Sequence, residues 1–315
     1  MKRKKLEEKS LTVQEAYDQF QRYNLTKGLS EGTICYYESY SRAFFKFLGD
    51  TSQPLTEVTK DTVDDYTLYL KGKDTVTDTT VNTALRMVRA FLYFCMERGW
   101  LPRFTISQIK AAQPVKEPYT NNELAKLLKK PDVKSCTFAR YRNWVIVNFL
   151  LATGCRAATL VNLRIMDIDL SGGTAFFRHM KAGNQQAVPL SKTIAHILEE
   201  YLPYRNGQPN EPLFISEYGN ALRVDVLESA IREYNHSCGV EKTSLHLFRH
   251  TYAKLFIMAG GDPFRLQKLL GHTDLSMTKR YVALYADDLK ENYDSFNPLE
   301  QVTAGQKRGV KRKLA

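Results

Sequence analysis

At 315 residues the chain has room for about two domains, and its 43% hydrophobic content supports cores of ordinary size. No run approaches the ~18 consecutive apolar residues of a membrane-spanning helix, and the charged start MKRKKLEEKS lacks the apolar stretch of a secretory leader. A formal charge of +11 points to a polyanionic partner, nucleic acid first, and five scattered cysteines without C-x-x-C spacing point to reduced thiols in a cytoplasm.

The positive excess lies in KRKK at the start, between Arg103 and Arg142, and in the tail KRGVKRK. Basicity alone selects no function, because solvated faces and basic ends produce it too. Residues 1–11 read as a basic extension and residues 12–110 as a helical bundle. Thr12 and Glu15 form a capping-box pattern ahead of TVQEAYDQFQRY. EGTICYYESYSRAFFKFLG carries Ile34, Tyr37, Phe44, Phe45 and Leu48 at helical spacings, with a glycine stop. KDTVDDYTLYLKG predicts a shorter third helix. In the fourth, Val81, Leu85, Val88, Leu92 and Cys95 step by alternating fours and threes, one buried stripe that Gly99 ends.

KAAQPVKEPYT then breaks the helical pattern at Pro114 and Pro118, so residues 111–119 read as a linker. Thr120 and Glu123 form a second capping box and open a domain expected over 120–290. RYRNWVIVNFLLATG is apolar on most faces, as a central helix is. A β-like region follows, RIMDIDL, then Gly172-Gly173, then TAFFRHMKAGNQQAVPL, with KAGNQQ as a second hairpin turn. Helices return in SKTIAHILEEYLPY, VDVLESAIREYNHSC and SLHLFRHTYAKL. Asp262 as N-cap and Pro263 at the first position start another. The fold class expected is mainly α with a small antiparallel β-sheet: an N-terminal all-α bundle and a mixed α/β second domain. Residues 291–315 read as a short docking segment and a disordered basic tail.

SLHLFRHTYAKL poses the functional question. His246 and His250, four apart, resemble a zinc-binding pair, but the position after His246 is Leu247, where a metalloprotease helix has a general-base Glu. His246 and Arg249, three apart, share a face better suited to an anion, since a guanidinium can donate to two phosphate oxygens. Arg156 follows a Thr-Gly turn at the expected start of a helix, where backbone N–H groups favour anions. Lys181 sits on the hairpin turn, His272 in LLGH, and Tyr281 nine residues later. Singly, each is more often a surface or structural residue.

As an ordered set, Arg156 in T-G-x-R, Lys181, His246 and Arg249 in H-x-x-R, His272 in L-L-G-H and Tyr281 resemble the tyrosine recombinases, the phage-integrase, Xer and Cre-like site-specific DNA recombinases. The resemblance covers the catalytic half, and the helical bundle is similar to the family's core-DNA-binding domain. It departs at Thr159, where many members have an acid three residues after the first Arg, and in a hairpin poorer in basic residues. Tyr285, four past Tyr281, is a rival nucleophile that the spacing from His272 disfavours. The resemblance implies catalysis by Arg156, Lys181, His246, Arg249, His272 and Tyr281, with no metal or cofactor and no ATP. It implies double-stranded DNA recombination sites as partner, a homotetramer on DNA, no membrane, and a cytoplasmic place of action. His250 is expected to buttress the site or pack in the core. ADDLKENYDSFNPLEQV is expected to dock on a neighbouring protomer. With the first bundle beginning near residue 12, no arm-site domain is expected, which fits an Xer-like or Cre-like enzyme of a mobile element or plasmid. The competing readings are type IB topoisomerase-like strand passage and a DNA-binding relative that has lost catalysis.

Overall fold

The computed structural model describes residues 11–111, 117–178, 185–271, 297–299 and 302. The chain divides into two compact units, Met1–Val115 and Lys116–Ala315. The fold is mainly α with one small antiparallel sheet.

The first unit contains α1 (Val13–Thr26), α2 (Glu31–Leu48), a 3-10 turn at Leu55–Glu57, α3 (Lys60–Lys71) and α4 (Asp78–Glu97). Each α-helix starts on a hydroxyl cap, Thr12, Ser30, Thr59 or Thr77, whose side chain accepts an otherwise orphaned backbone N–H. At α1 the capping box closes fully, with Glu15 accepting from the Thr12 N–H at 2.9 Å. All five residues of the α4 stripe are buried. They pack with Phe20, Phe44 and Tyr66, and Tyr17 meets Phe45 and Phe91 edge-on. The α2 stripe is buried less completely: only Phe44 of its five apolar members is fully inside, and Ile34, Tyr37, Phe45 and Leu48 are half-buried. α2 packs chiefly on α4 and closes one flank of the bundle, so much of its face meets solvent.

The second unit begins with α5 (Asn121–Leu127), again on a closed capping box, Thr120 with Glu123. Next come α6 (Phe138–Thr153) and the five-residue α7 (Ala157–Val161). α6 is the central element; α8 (Lys192–Arg205), α9 (Val224–Ser237) and α10 (Leu245–Met258) all pack on it. Being surrounded explains why its sequence is apolar almost all round. Arg142, within the basic stretch, is buried here and donates to the Ile215 carbonyl at 2.7 Å and to Asn143, so its charge is spent inside the protein. α11 (Pro263–Leu270) starts on Asp262, with Pro263 at the first position.

The sheet has the order β1 (Ile168–Asp169), β2 (Thr174–Phe177), β3 (Gln186–Pro189), antiparallel throughout. RIMDIDL is strand only at its end. Its first half is a 3-10 turn, Ile165–Asp167. There the Asp167 carboxylate accepts the Arg164 N–H at 3.0 Å, a local bond that competes with strand pairing. The Gly172-Gly173 turn forms as expected. Gly173 has φ +62°, and the Asp169 carboxylate accepts the Gly172 N–H at 2.8 Å. The second turn joins Phe177 to Gln186, the last pair in register, and most of it lies outside the described residues.

Candidate active site

The site grows from the end of α6. Its last turn closes on Gly154, in the left-handed region at φ +62°, ψ +19°. A side chain is excluded there twice over, because a Cβ would lie 2.6 Å from Tyr252 Cδ1 and 2.7 Å from Leu270 Cδ2. The reversal delivers Arg156 to the N-cap of α7, half-buried. Burial pushes the Arg156 guanidinium pKa down, though an arginine keeps its charge at any ordinary pH.

Arg249, on the second turn of α10, is only 3% exposed. Its Nη1 donates to the Gly154 carbonyl at 2.8 Å and its Nη2 to the Leu270 carbonyl at 2.7 Å. These carbonyls end α6 and α11, which otherwise leave their last C=O groups unsatisfied. One guanidinium therefore caps two helices at once. Gly271 follows Leu270 in the left-handed region, with its N–H on the Gln267 and Lys268 carbonyls. T-G-x-R, H-x-x-R and the L-L-G of L-L-G-H thus meet at one buried cation. Two of the five donors of Arg249, the residue that the H-x-x-R spacing predicts on an anion, hold this frame.

His246 and Arg249 share the start of α10, yet His246 is exposed where Arg249 is buried. The His246 and His250 rings are 4.7 Å apart and edge-to-face, with His250 half-buried, so the four-residue spacing serves a ring contact. Among the described residues no group of three His, Cys, Asp or Glu side chains is gathered as metal ligands would be. Thr159 is buried one turn into α7, and the Asn162 N–H bonds to its carbonyl. Lys181, His272 and Tyr281, with the rival Tyr285, lie outside the described residues. So does the expected docking segment, save for Asn297, Pro298, Leu299 and Val302, of which Leu299 and Val302 are exposed.

Several contributors are not visible in the sequence motifs. Cys155 is buried in the signature turn, and burial raises its thiol pKa to about 11 against the opposing effects of a Thr153 hydrogen bond and the Arg249 charge. Asp167 is buried and bonded to Arg178, and Gln186 of β3 donates to the Lys268 carbonyl of α11. An acid inside an otherwise apolar string, as in IMDI, is the one signal the sequence offers for Asp167.

The pattern of the phage integrase family matches residues 118–287, and that of the phage integrase SAM-like domain matches residues 14–110. The chain belongs to the phage integrase family, the tyrosine recombinases. Tyrosine recombinase XerD of Listeria innocua is 28% identical over 286 residues, spanning 86% of this chain and 94% of its own. Two solved structures share the fold. The Tn1549 transposon integrase in complex with transposon right end DNA has a TM-score of 0.71 at 19% identity, covering 86% of this chain and 94% of that one. A lambda integrase tetramer bound to a Holliday junction has a TM-score of 0.66 at 17% identity, covering 87% of this chain and 78% of that one. As a family member the chain is a tyrosine-type site-specific recombinase. In this recombinase the frame at Arg249 ties the turn before Arg156 to the turn before His272.

Proposed function

We propose that this recombinase cuts and rejoins DNA strands through a 3′-phosphotyrosyl intermediate, using Arg156, Lys181, His246, Arg249, His272 and Tyr281. The observation that carries the reading is the meeting of three signature stretches at Arg249. A phosphodiester resists attack because its oxygens repel the nucleophile and the alkoxide leaves poorly. Without a metal, fixed cations and a proton donor must compensate. Arg156 and Arg249 stabilise the non-bridging oxygens as phosphorus becomes five-coordinate, and His272 adds a hydrogen bond. Each such preorganised donor is worth about 2.7–4 kcal/mol by analogy with oxyanion holes.

Tyr281, with an ordinary pKa of about 10, gives up its proton with help from His246 and the guanidiniums. Its oxygen bonds to phosphorus, the P–O5′ bond breaks, and Lys181 protonates the departing O5′. The bond energy is kept in the phosphotyrosine, so a 5′-hydroxyl from another strand can reverse the step without ATP. The lambda integrase tetramer on a Holliday junction supports a homotetramer acting on two duplexes, and the transposon integrase complex supports DNA sites at a mobile element. We place the reaction in the cytoplasm, on the nucleoid.

The test is covalent capture. The full-length chain is incubated with a library of random-sequence duplexes nicked to release the cleaved 5′ end, and trapped DNA is sequenced. A recurrent site should appear with wild type and vanish with Tyr281→Phe. An adduct that survives Tyr281→Phe but not Tyr285→Phe would move the nucleophile. Relaxation of plasmids irrespective of sequence, with no recurrent site, would sink the site-specific reading.

A further inference from the structure

The H-x-x-R stretch is stapled from outside α10. Tyr119, which follows Pro118 just ahead of α5, is buried and touches the stretch at three points. Its N–H donates to the Thr251 hydroxyl at 3.0 Å, and its own hydroxyl donates to the Lys242 carbonyl at 3.2 Å. Its ring lies against that of Phe248, with centroids 4.5 Å apart. Lys242 precedes α10 and Thr251 stands on its second turn. The two hydrogen bonds therefore bracket His246 and Arg249, and the ring contact falls between them, on the residue before Arg249. Each partner is itself fixed. Thr251 is fully buried, and its hydroxyl donates to the Leu247 carbonyl at 2.8 Å. Asn235 of α9, also fully buried, donates from Nδ2 to the Tyr119 hydroxyl at 3.0 Å and to the Lys242 carbonyl at 2.7 Å. The Lys242 ammonium returns to the Pro118 carbonyl and the Glu123 carboxylate, both at 3.1 Å. Burial pushes the Tyr119 hydroxyl pKa up, against the opposing Asn235 hydrogen bond, so the hydroxyl keeps the proton it donates.

None of these side chains has a direct part in the chemistry derived above. α10 already packs on α6, but apolar packing is non-directional and leaves a helix some freedom to slide and to turn about its axis. Hydrogen bonds weaken steeply off line, so bonds at both ends of the stretch remove that freedom. A guanidinium stabilises a developing charge only where it is held in place beforehand. We propose that Tyr119, through Thr251 and the Lys242 carbonyl, is a positioning residue that sets the register of α10 and so holds Arg249 against the scissile phosphate. This rests on the reading of Arg249 as a cation that grips that phosphate.

The experiment uses the full-length chain and the duplex recovered by covalent capture. It is made with an ordinary scissile phosphate and with a methylphosphonate there, in each of its two diastereomers. A methyl group in place of a non-bridging oxygen removes the charge that a guanidinium offsets, so the neutral form needs one cation fewer. Rates of adduct formation are compared with wild type on the same duplex. Arg249→Ala should be slowed by ~10²–10³-fold on phosphate, as for a lost oxyanion donor, and recover most of the wild-type rate on one diastereomer. Tyr119→Ala should be slowed on the order of 10²-fold on phosphate, as misplacement by about 1 Å predicts, and recover on that same diastereomer, with DNA affinity unchanged. Tyr119→Phe keeps the ring and the N–H, and Thr251→Val keeps the shape without the hydroxyl. Each should show the pattern more weakly, and both carry the test should the alanine variant fold poorly. Thr251→Ser, which keeps the hydroxyl, should stay near wild type. A variant that is merely unstable loses active protein alike for every duplex. Equal slowing of the Tyr119 and Thr251 variants on phosphate and methylphosphonate, or none on phosphate, therefore overturns the proposal. If Arg249→Ala itself stays slow on both diastereomers, the assignment of Arg249 falls, and the positioning role with it. Rescue of Arg249→Ala without rescue of the Tyr119 variants sinks the positioning role alone.

Discussion

Gly154 shows how much can depend on one missing side chain. With φ at +62° and two atoms under 3 Å from where a methyl would sit, there is no room for alanine. Overpacking of this kind costs about 1–3 kcal/mol, and a left-handed non-glycine residue roughly 1–2 more. Gly154→Ala should therefore lower the Tm of the second unit by roughly 4–20 °C, read by thermal unfolding. Covalent adduct formation should fall as well, because the displaced carbonyl is the one Arg249 holds. An unchanged Tm would show that Tyr252 and Leu270 yield freely. Beside it, Cys155 gives a pH prediction. Its thiol keeps its proton to about pH 11 in the folded chain, against an ordinary 9.0. Stability from this group is complete below pH 9.0 and is lost as pH rises toward 11, since the unfolded thiol ionises first. Between pH 8 and 10.5 wild type should lose roughly 2 kcal/mol more than Cys155→Ala, measured by urea unfolding at both values. At this scale the sequence singles out Arg156, His246 and Arg249 but does not show what Arg249 bonds to. Its carbonyl partners lie 95 and 21 residues away and belong to backbone, which carries no side-chain signature.

Among the elements, α4 is the most legible, because a stripe needs only local periodicity and every member is buried. Leu92→Ala in this stripe should cost about 2–5 kcal/mol, and thermal unfolding should show the loss in a transition of the first unit. A cost below about 1 kcal/mol would mean the bundle collapses into the gap. α2 looks equally amphipathic in sequence, yet most of its stripe is only half-covered. Periodicity says which face turns inward but not how much protein waits there. RIMDIDL reads as strand and is half 3-10 turn, because Asp167 satisfies a neighbouring N–H and a distant Arg178. Short apolar strings are decided by such contacts rather than by propensity.

For the whole molecule, charge is the property that the chain shows before it folds. With +11 formal charges and a DNA-cutting assignment, binding to any duplex should be dominated by phosphate contacts. If six to ten of these form, affinity should fall by roughly 10³–10⁵-fold between 50 and 200 mM salt, read by fluorescence anisotropy on a labelled duplex. A flat salt dependence would contradict the electrostatic reading. Arg142 tempers the count, since it is buried and donates its hydrogen bonds within the protein.

By itself the sequence determined the class of fold, the family and the six positions to question, because periodicity, caps and spaced motifs are local and survive in one dimension. Only the tertiary structure decided that Arg249 is a strut between two helix ends, that His246 and His250 touch, and that Gln186 of β3 bonds to the end of α11. Apart from the histidine contact, those facts are pairings between residues far apart in the chain. A pairing is set by which donors and acceptors the packed core leaves within about 3 Å of each other, and no spacing along the chain encodes that distance.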